Sequence, residues 1–323
     1  MIARMAGIWR AARELRAAGV LGMNRRNADY IMARNPRSRF PLVDDKILTA
    51  RLAEEHGVPT PAIYRVIEHH AGIAGFERGL QGDGAFAVKP SHGAGGMGIV
   101  LVERTGEGGF FKPNGALVPR EALYHHISNI LSGVYSLAGQ PDQAIIQALI
   151  RPDNVFERVS WRGVPDIRVV VYRGVPVMAM TRLPTKASDG KANLHGGAIG
   201  AGIGIGDGRT RHAVHRSRPI DRHPDTGNPL DGVEVPHWDR ILLASARAFE
   251  MTGLGYLGVD QVLDWERGPV LLELNARPGL AIQIANRTGL WGRLEQADQA
   301  PAGIFATPEA RVAWARQAFP GGR

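Results

Sequence analysis

The chain of 323 residues contains no cysteine. That absence excludes disulfides, thiolate metal sites and a cysteine nucleophile. No apolar run approaches the length needed to span a bilayer, so no stable membrane insertion is expected. A signal-peptide core is also missing, because Met1-Ile2-Ala3-Arg4 leads into a stretch with arginines throughout. Together these absences predict a cytoplasmic protein. No Gly-Lys-Ser/Thr phosphate loop opens a helix, and no dinucleotide fingerprint is present. Helix-turn-helix, zinc-finger and RNP-type aromatic patterns are lacking too, so the formal charge of +8 predicts no nucleic-acid partner. Internal repeats and low-complexity tracts are absent.

What is present fits a globular enzyme. An apolar content of 44% over this length can build a large core and two or three lobes. The excess positive charge suits anionic substrates. Near the C-terminus, Tyr256–Leu263 and Val270–Asn275 flank a turn-prone Asp264-Trp265-Glu266-Arg267-Gly268, which predicts an antiparallel hairpin. Strand alternation puts Glu273 and Asn275 on one face and Leu272 and Leu274 toward the core. Asp260 on the partner strand reaches the same face. Two carboxylates and an amide oxygen form an all-oxygen set suited to magnesium. A surface hairpin with scattered polar residues is the plain alternative.

A second constellation lies upstream. Phe86-Ala87-Val88-Lys89-Pro90 reads as a buried strand, followed by Ser91-His92-Gly93-Ala94-Gly95-Gly96-Met97-Gly98 and a strand from Ile99 to Glu103. A glycine-rich turn lets the backbone close over a ligand and aim N–H groups at an anion. Lys89 adds a point charge beside it. A flexible hairpin loop is the competing explanation.

Together these residues resemble the ATP-grasp superfamily, over roughly residues 43 to 285. The resemblance implies an α+β fold in which two lobes enclose ATP and magnesium, with two ions and manganese as an alternative. Asp45-Lys46, with Leu48, Leu52 and Gly57-Val58-Pro59-Thr60-Pro61, is similar to that superfamily's opening helix. Lys46 would join Lys89 at the phosphates, under a loop containing Gly93, Gly95 and Gly96. Ile145–Ile150 sits where the superfamily has its adenine hinge, so Gln147, Ala148 and Leu149 would meet the base. Asp166-Ile167-Arg168, Arg182, Lys186 and Asn193-Leu194-His195-Gly196-Gly197 are similar to elements of RimK-type α-L-glutamate ligases. From these the resemblance implies metal ligation by Asp260, Glu273 and Asn275, nucleotide contact by Asn193, substrate binding by Arg168 and Lys186, and catalytic roles for Arg277, Arg182 and His195. Arg168 and Arg182 would match a carboxylate bidentately, or stand solvated on their strands. Arg277 has a structural salt bridge as its alternative role, and His195 a turn cap. Asn154 and Glu157 are weaker candidates for the ribose hydroxyls.

The start departs from most such ligases, which open with a complete βαβ-type domain. Residues 1–43 instead read as helical, over Ala3–Ala18 and Met23–Met32, until Asn35-Pro36-Arg37 breaks the pattern. This start looks like an α-L-glutamate ligase-like group related to RimK, and like ATP-grasp proteins associated with sugar transfer. The Ile2–Arg16 helix either packs on the lobes or touches a membrane surface. Residues 44–150 are read as a first lobe, 151–291 as a second, and 292–323 as a tail with a helix at Pro308–Ala318. Within the lobes the pattern predicts helices at Asp44–Glu55, Val66–Phe76, Arg120–Ser132 and Pro236–Thr252, a hairpin loop at Gly106–Pro119, and a surface excursion at Gly206–Gly232. Function reads as an ATP-dependent carboxylate–amine ligase acting through an acyl phosphate, with a small carboxylate and an amine or peptide as substrates. The alternatives are action on a sugar-derived metabolite, or a non-catalytic ATP-binding scaffold.

Overall fold

A computed structural model describes residues 10, 13–77, 80, 84–93, 96–106, 109–136 and 139–321. Most of the N-terminal helix read at Ala3–Ala18, and Gly95 with Ala94, lie outside these residues. Two separate hydrophobic clusters divide the described chain, as the expected pair of α+β lobes requires.

The smaller lobe holds β1 (Ile63–Ile67), β2 (Phe86–Pro90), β3 (Val100–Val102) and β7 (Ala144–Ala148), in the antiparallel order β1-β7-β2-β3. Beside it, β4 (Arg104–Gly106), β5 (Gly109–Phe111) and β6 (Leu117–Pro119) make a three-stranded sheet that leads into the helix Arg120–Leu131. That helix buries Leu123, Ile127 and Ile130 at helical spacing against Phe86, Val88 and Phe110. Segment 63–67 corrects the reading of a helix from Val66. Its side chains Ile63, Val66 and Ile67 are β-branched, and it pairs with β7.

The larger lobe carries seven strands in the order β12-β11-β10-β9-β8-β13-β14, antiparallel throughout. They are β8 (Asp166–Tyr172), β9 (Val175–Leu183), β10 (Ile199–Ile203), β11 (Thr210–His215), β12 (Arg218–Ile220), β13 (Tyr256–Asp264) and β14 (Gly268–Asn275). Strands β8 and β13 are buried at every position, charged Asp166, Arg168 and Asp260 included. The helix Trp238–Thr252 packs on β8, β9, β13 and β14, and the helix Pro308–Ala318 lies on it and on β9. Residues 206–232 are not only an excursion: β11 and β12 sit inside it and extend the sheet.

The N-terminal segment docks on the larger lobe. Tyr30 packs edge-on against Tyr172, 5.5 Å between ring centres. The side chain of Asn35 donates to the carbonyls of Tyr256 (2.7 Å) and Ala276 (3.1 Å) and accepts from the Tyr256 N–H, tying the start of β13 to the end of β14. Residues 44–58, grouped by sequence with the first lobe, contribute Ala53 and Val58 to the larger cluster. Among the described residues no helix is long and apolar enough to cross a membrane.

Candidate active site

The lobes meet along a narrow cleft. Lys46, Thr49, Lys89, Ile145, Gln147, Leu271 and Leu272 line it, so the smaller sheet faces β14 across it. The hairpin forms in the register the sequence suggests at its centre, with Asp260 opposite Glu273. One residue later the register shifts, because Gln261 pairs with Leu271 and leaves Leu272 unmatched. This β-bulge corrects the reading of Leu272 as core. An extra residue flips the alternation, so Leu271 joins the core beneath the cleft while Leu272 stays half-buried and lines the cleft only.

Lys46 begins the helix Lys46–Glu55, whose cap Asp45 accepts from the N–H groups of Ile47 and Leu48. Its ammonium donates to the carbonyls of Ser91 (3.1 Å) and Gly93 (2.5 Å), at the root of the glycine loop. Burial lowers the pKa of Lys46, against the opposing charge of Glu273. Lys89, at the end of β2, is 7% exposed. Burial, with the nearby charge of Lys46, brings its pKa down to about 7. Two lysines forced this close and this deep require anionic company.

The glycine loop has an anchor that sequence reasoning missed. Buried Asp142 accepts from the His92 backbone N–H, from His92 Nδ1 at 2.8 Å, from the Ser136 hydroxyl and from the Gln143 N–H. These bonds, with burial opposing them, hold its pKa low. Ser91 donates to Asp45 at 2.7 Å, and His126 meets the Gly98 carbonyl at 2.9 Å. Gly98 has a positive φ of 72°, and a Cβ there would fall 2.6 Å from the Tyr135 ring. Gly93 bridges to Ser136, and Gly96 sits in the exposed crown. Asp142 stands in no motif, and only the tertiary fold brings it under His92.

Within the larger sheet, charges are buried. Asp260 is fully buried and accepts from Arg168 Nε (2.7 Å) and Nη2 (2.5 Å) and from Arg182 Nη2 (2.7 Å). Arg182 also forks onto Asp166, its cross-strand partner, through Nε at 2.6 Å and through Nη2. The alternative of solvated arginines is thereby corrected. Burial pushes Asp260 up, but the two guanidiniums prevail and hold it well below the usual carboxylate range. Glu273 goes the other way: burial and the charge of Asp260 raise its pKa. Burial also brings Asp166 up to about 6, despite Arg182.

A carboxylate pair opposed across a hairpin is relieved by a proton or by a cation. With the amide of Asn275 two residues along, the donor set is all oxygen and fits magnesium. Among the described residues no group of three His, Cys, Asp or Glu side chains could hold a metal, so the amide and substrate oxygens are needed to complete coordination.

Other sequence-derived residues lie apart from this network. Among the described residues Lys186, Asn193 and His195 make no hydrogen bond or ion pair to it, and the hydrogen bond from Arg277 to it is made by its backbone N–H. Asn193 caps a turn by accepting from the His195 N–H at 3.0 Å, and Lys186 and His195 are exposed. The Arg277 guanidinium lies 4.8 Å over the Phe40 ring, and its N–H donates to Asn275 Oδ1. Ala148 donates its N–H to Ala62 O, with Leu149 following. Asn154 and Glu157 lie on a 3-10 turn, Asn154–Val159.

Among known proteins, several solved structures are similar. The ligase PsnB, described as an ATP-grasp ligase complexed with a minimal precursor, shares 15% identity over 82% of this chain, with a TM-score of 0.46. The chain spans 62% of PsnB, less than two thirds of its length. D-cycloserine synthetase DcsG shares 17% identity, covering 87% of this chain and 73% of its own, with a TM-score of 0.46. D-alanyl-alanine synthetase A from Vibrio cholerae O1 biovar eltor shares 12%, covering 87% and 66%, with a TM-score of 0.43. No curated protein sequence matches the chain. The match that carries assignment is to the family described as sugar-transfer associated ATP-grasp, over residues 25–299. The chain belongs to the sugar-transfer associated ATP-grasp family.

Proposed function

We propose that this protein is an ATP- and magnesium-dependent ligase that joins a carboxylate to an amine through an acyl phosphate. The observation that carries the reading is that two buried lysines, Lys46 and Lys89, line the inter-lobe cleft and feel the charge of Glu273, which stands opposite Asp260 on the neighbouring hairpin. Apolar side chains at Ile145, Leu271 and Leu272 suit a flat base, whose edge would meet the chain at Leu149 after the Ala148 N–H is used. Lys46 and Lys89 would neutralise the phosphates, and the loop with Gly93, Gly95 and Gly96 would lie over them. Asp260, Glu273 and Asn275 would hold one or two magnesium ions, which when bound offset charge on the phosphates.

In the first step a substrate carboxylate oxygen attacks the γ-phosphorus, the bond to the β-bridging oxygen breaks, and ADP leaves. The amine nitrogen then attacks the acyl carbon, the bond to phosphate breaks, and the amine loses its proton. The protein's part is alignment and charge compensation, as in other phosphoryl transfers. Arg168 and Arg182, and the exposed Lys186, are the groups assigned to substrate oxygens, with catalytic roles assigned to Arg277 and His195. The substrate pair is an amino acid or other small carboxylate with an amine or peptide.

A second reading is favoured by the family itself, whose members are associated with sugar transfer: the carboxylate or the acceptor is sugar-derived. The test is ADP release from ATP and magnesium against libraries of amino acids, amines and acidic sugars. ADP formed only when a carboxylate and an amine are both present is the expected result. ADP formed with a hydroxyl-bearing sugar alone, yielding a phosphorylated sugar, would replace the ligase reading.

A further inference from the structure

Arg168 and Arg182 converge on one oxygen, Asp260 Oδ2, yet they are held differently. Arg182 has a second carboxylate, because Asp166 lies opposite it in the sheet and takes both its Nε and its Nη2. Arg168 has Asp260 as its one carboxylate partner among the described residues. A carboxylate offers about four lone-pair positions. Three N–H donors take three of those on Asp260, and the Glu273 carboxylate lies across from it in the hairpin. A cation on Asp260 competes with those donors for the carboxylate, and its charge repels both guanidiniums. Arg182 stays, because Asp166 keeps it. Arg168 is left with no carboxylate, in a buried site where an unpaired cation is costly.

We propose that Asp166 is a positioning residue that keeps Arg182 in place when a metal takes Asp260, and that the same event turns Arg168 over to a substrate oxyanion. Metal and anion then bind cooperatively, because they exchange partners at one carboxylate. The proposal rests on the reading of Asp260 and Glu273 as the metal site. It goes further by giving the two arginines unequal tasks and by giving Asp166 one of its own.

The test is calorimetric titration of the full chain, loaded with ADP, by inorganic phosphate with and without magnesium. In the unaltered protein magnesium should tighten phosphate by about tenfold, within the usual range of such coupling. Arg168→Met should abolish most of that gain. Arg168→Lys, which keeps the charge but not the fork, is the second variant should the first fail to fold, and it should also lose most of the gain. Asp166→Asn should weaken phosphate only when magnesium is present, because Asp260 steadies Arg182 otherwise. A purely structural role would weaken it in both conditions. Coupling that survives both Arg168 substitutions, or an Asp166→Asn effect equal with and without magnesium, would overturn the proposal. Magnesium binding unaffected by Glu273→Gln would overturn the metal-site reading itself, and is seen in the metal titration rather than in the phosphate one.

Discussion

Replacing Lys89 by methionine should make the protein more stable and a markedly weaker binder of nucleotide. Lys89 sits in the buried strand β2, and burial brings its pKa to about 7. A lysine in the unfolded chain titrates near 10.4. Between about pH 7 and 10 the unfolded chain therefore binds more protons, and stability rises with pH across that window. At neutral pH the native protein carries the cost of an ammonium it would rather shed. Methionine has similar length and no charge, so a gain of the order of a few kcal/mol at pH 7, fading by pH 10, is expected. Binding of magnesium ATP should weaken about 10- to 100-fold, the usual loss for a charge-assisted bond. In the unaltered protein the phosphates restore the ammonium, so nucleotide binding at pH 8 should take up about one proton. Calorimetry in buffers of different ionisation enthalpy reads that uptake directly, and its absence in Lys89→Met identifies the site. A variant that binds ATP normally would remove Lys89 from the phosphate pocket.

Glu273→Gln should separate fold from function on the opposite wall. Glu273 has a pKa raised by burial and by the charge of Asp260. A raised acid stabilises the protein below its ordinary value, and that contribution is lost as pH climbs through the folded value. The amide escapes the loss, so the variant should melt no lower than the original at pH 7. Turnover should nevertheless fall on the order of 10³-fold, because the cation-holding pair is broken. Magnesium should also cease to raise the melting temperature. Thermal unfolding with and without magnesium, beside an ADP assay, checks both halves. A variant that keeps its magnesium response would leave Glu273 outside the metal site.

Much of this site is legible in the sequence because its parts are local. Lys89 closes a strand, four glycines fall in the eight residues from Ser91 to Gly98, and Asp260, Glu273 and Asn275 sit on one hairpin. The helix Pro308–Ala318 is equally local, opening at Thr307, which caps the Ala310 N–H. What is missed depends on partners far along the chain. The bulge at Leu272 exists only in the register against β13. The Asp166–Arg182 fork spans two strands, and the Asp142–His92 anchor joins residues 50 positions apart. Strands β11 and β12 escape for another reason. Their turn, Arg216-Ser217, has positive φ at both residues without the glycine or asparagine that ordinarily marks such a hairpin.

The central claim is that a carboxylate is activated by attack on the γ-phosphate of ATP. The measurement that reaches it most directly uses a carboxylate substrate labelled with ¹⁸O. The site predicts ADP as the nucleotide product and one labelled oxygen transferred into inorganic phosphate for each amide formed. AMP and pyrophosphate as products, or label retained wholly in the amide and unreacted acid, would contradict it.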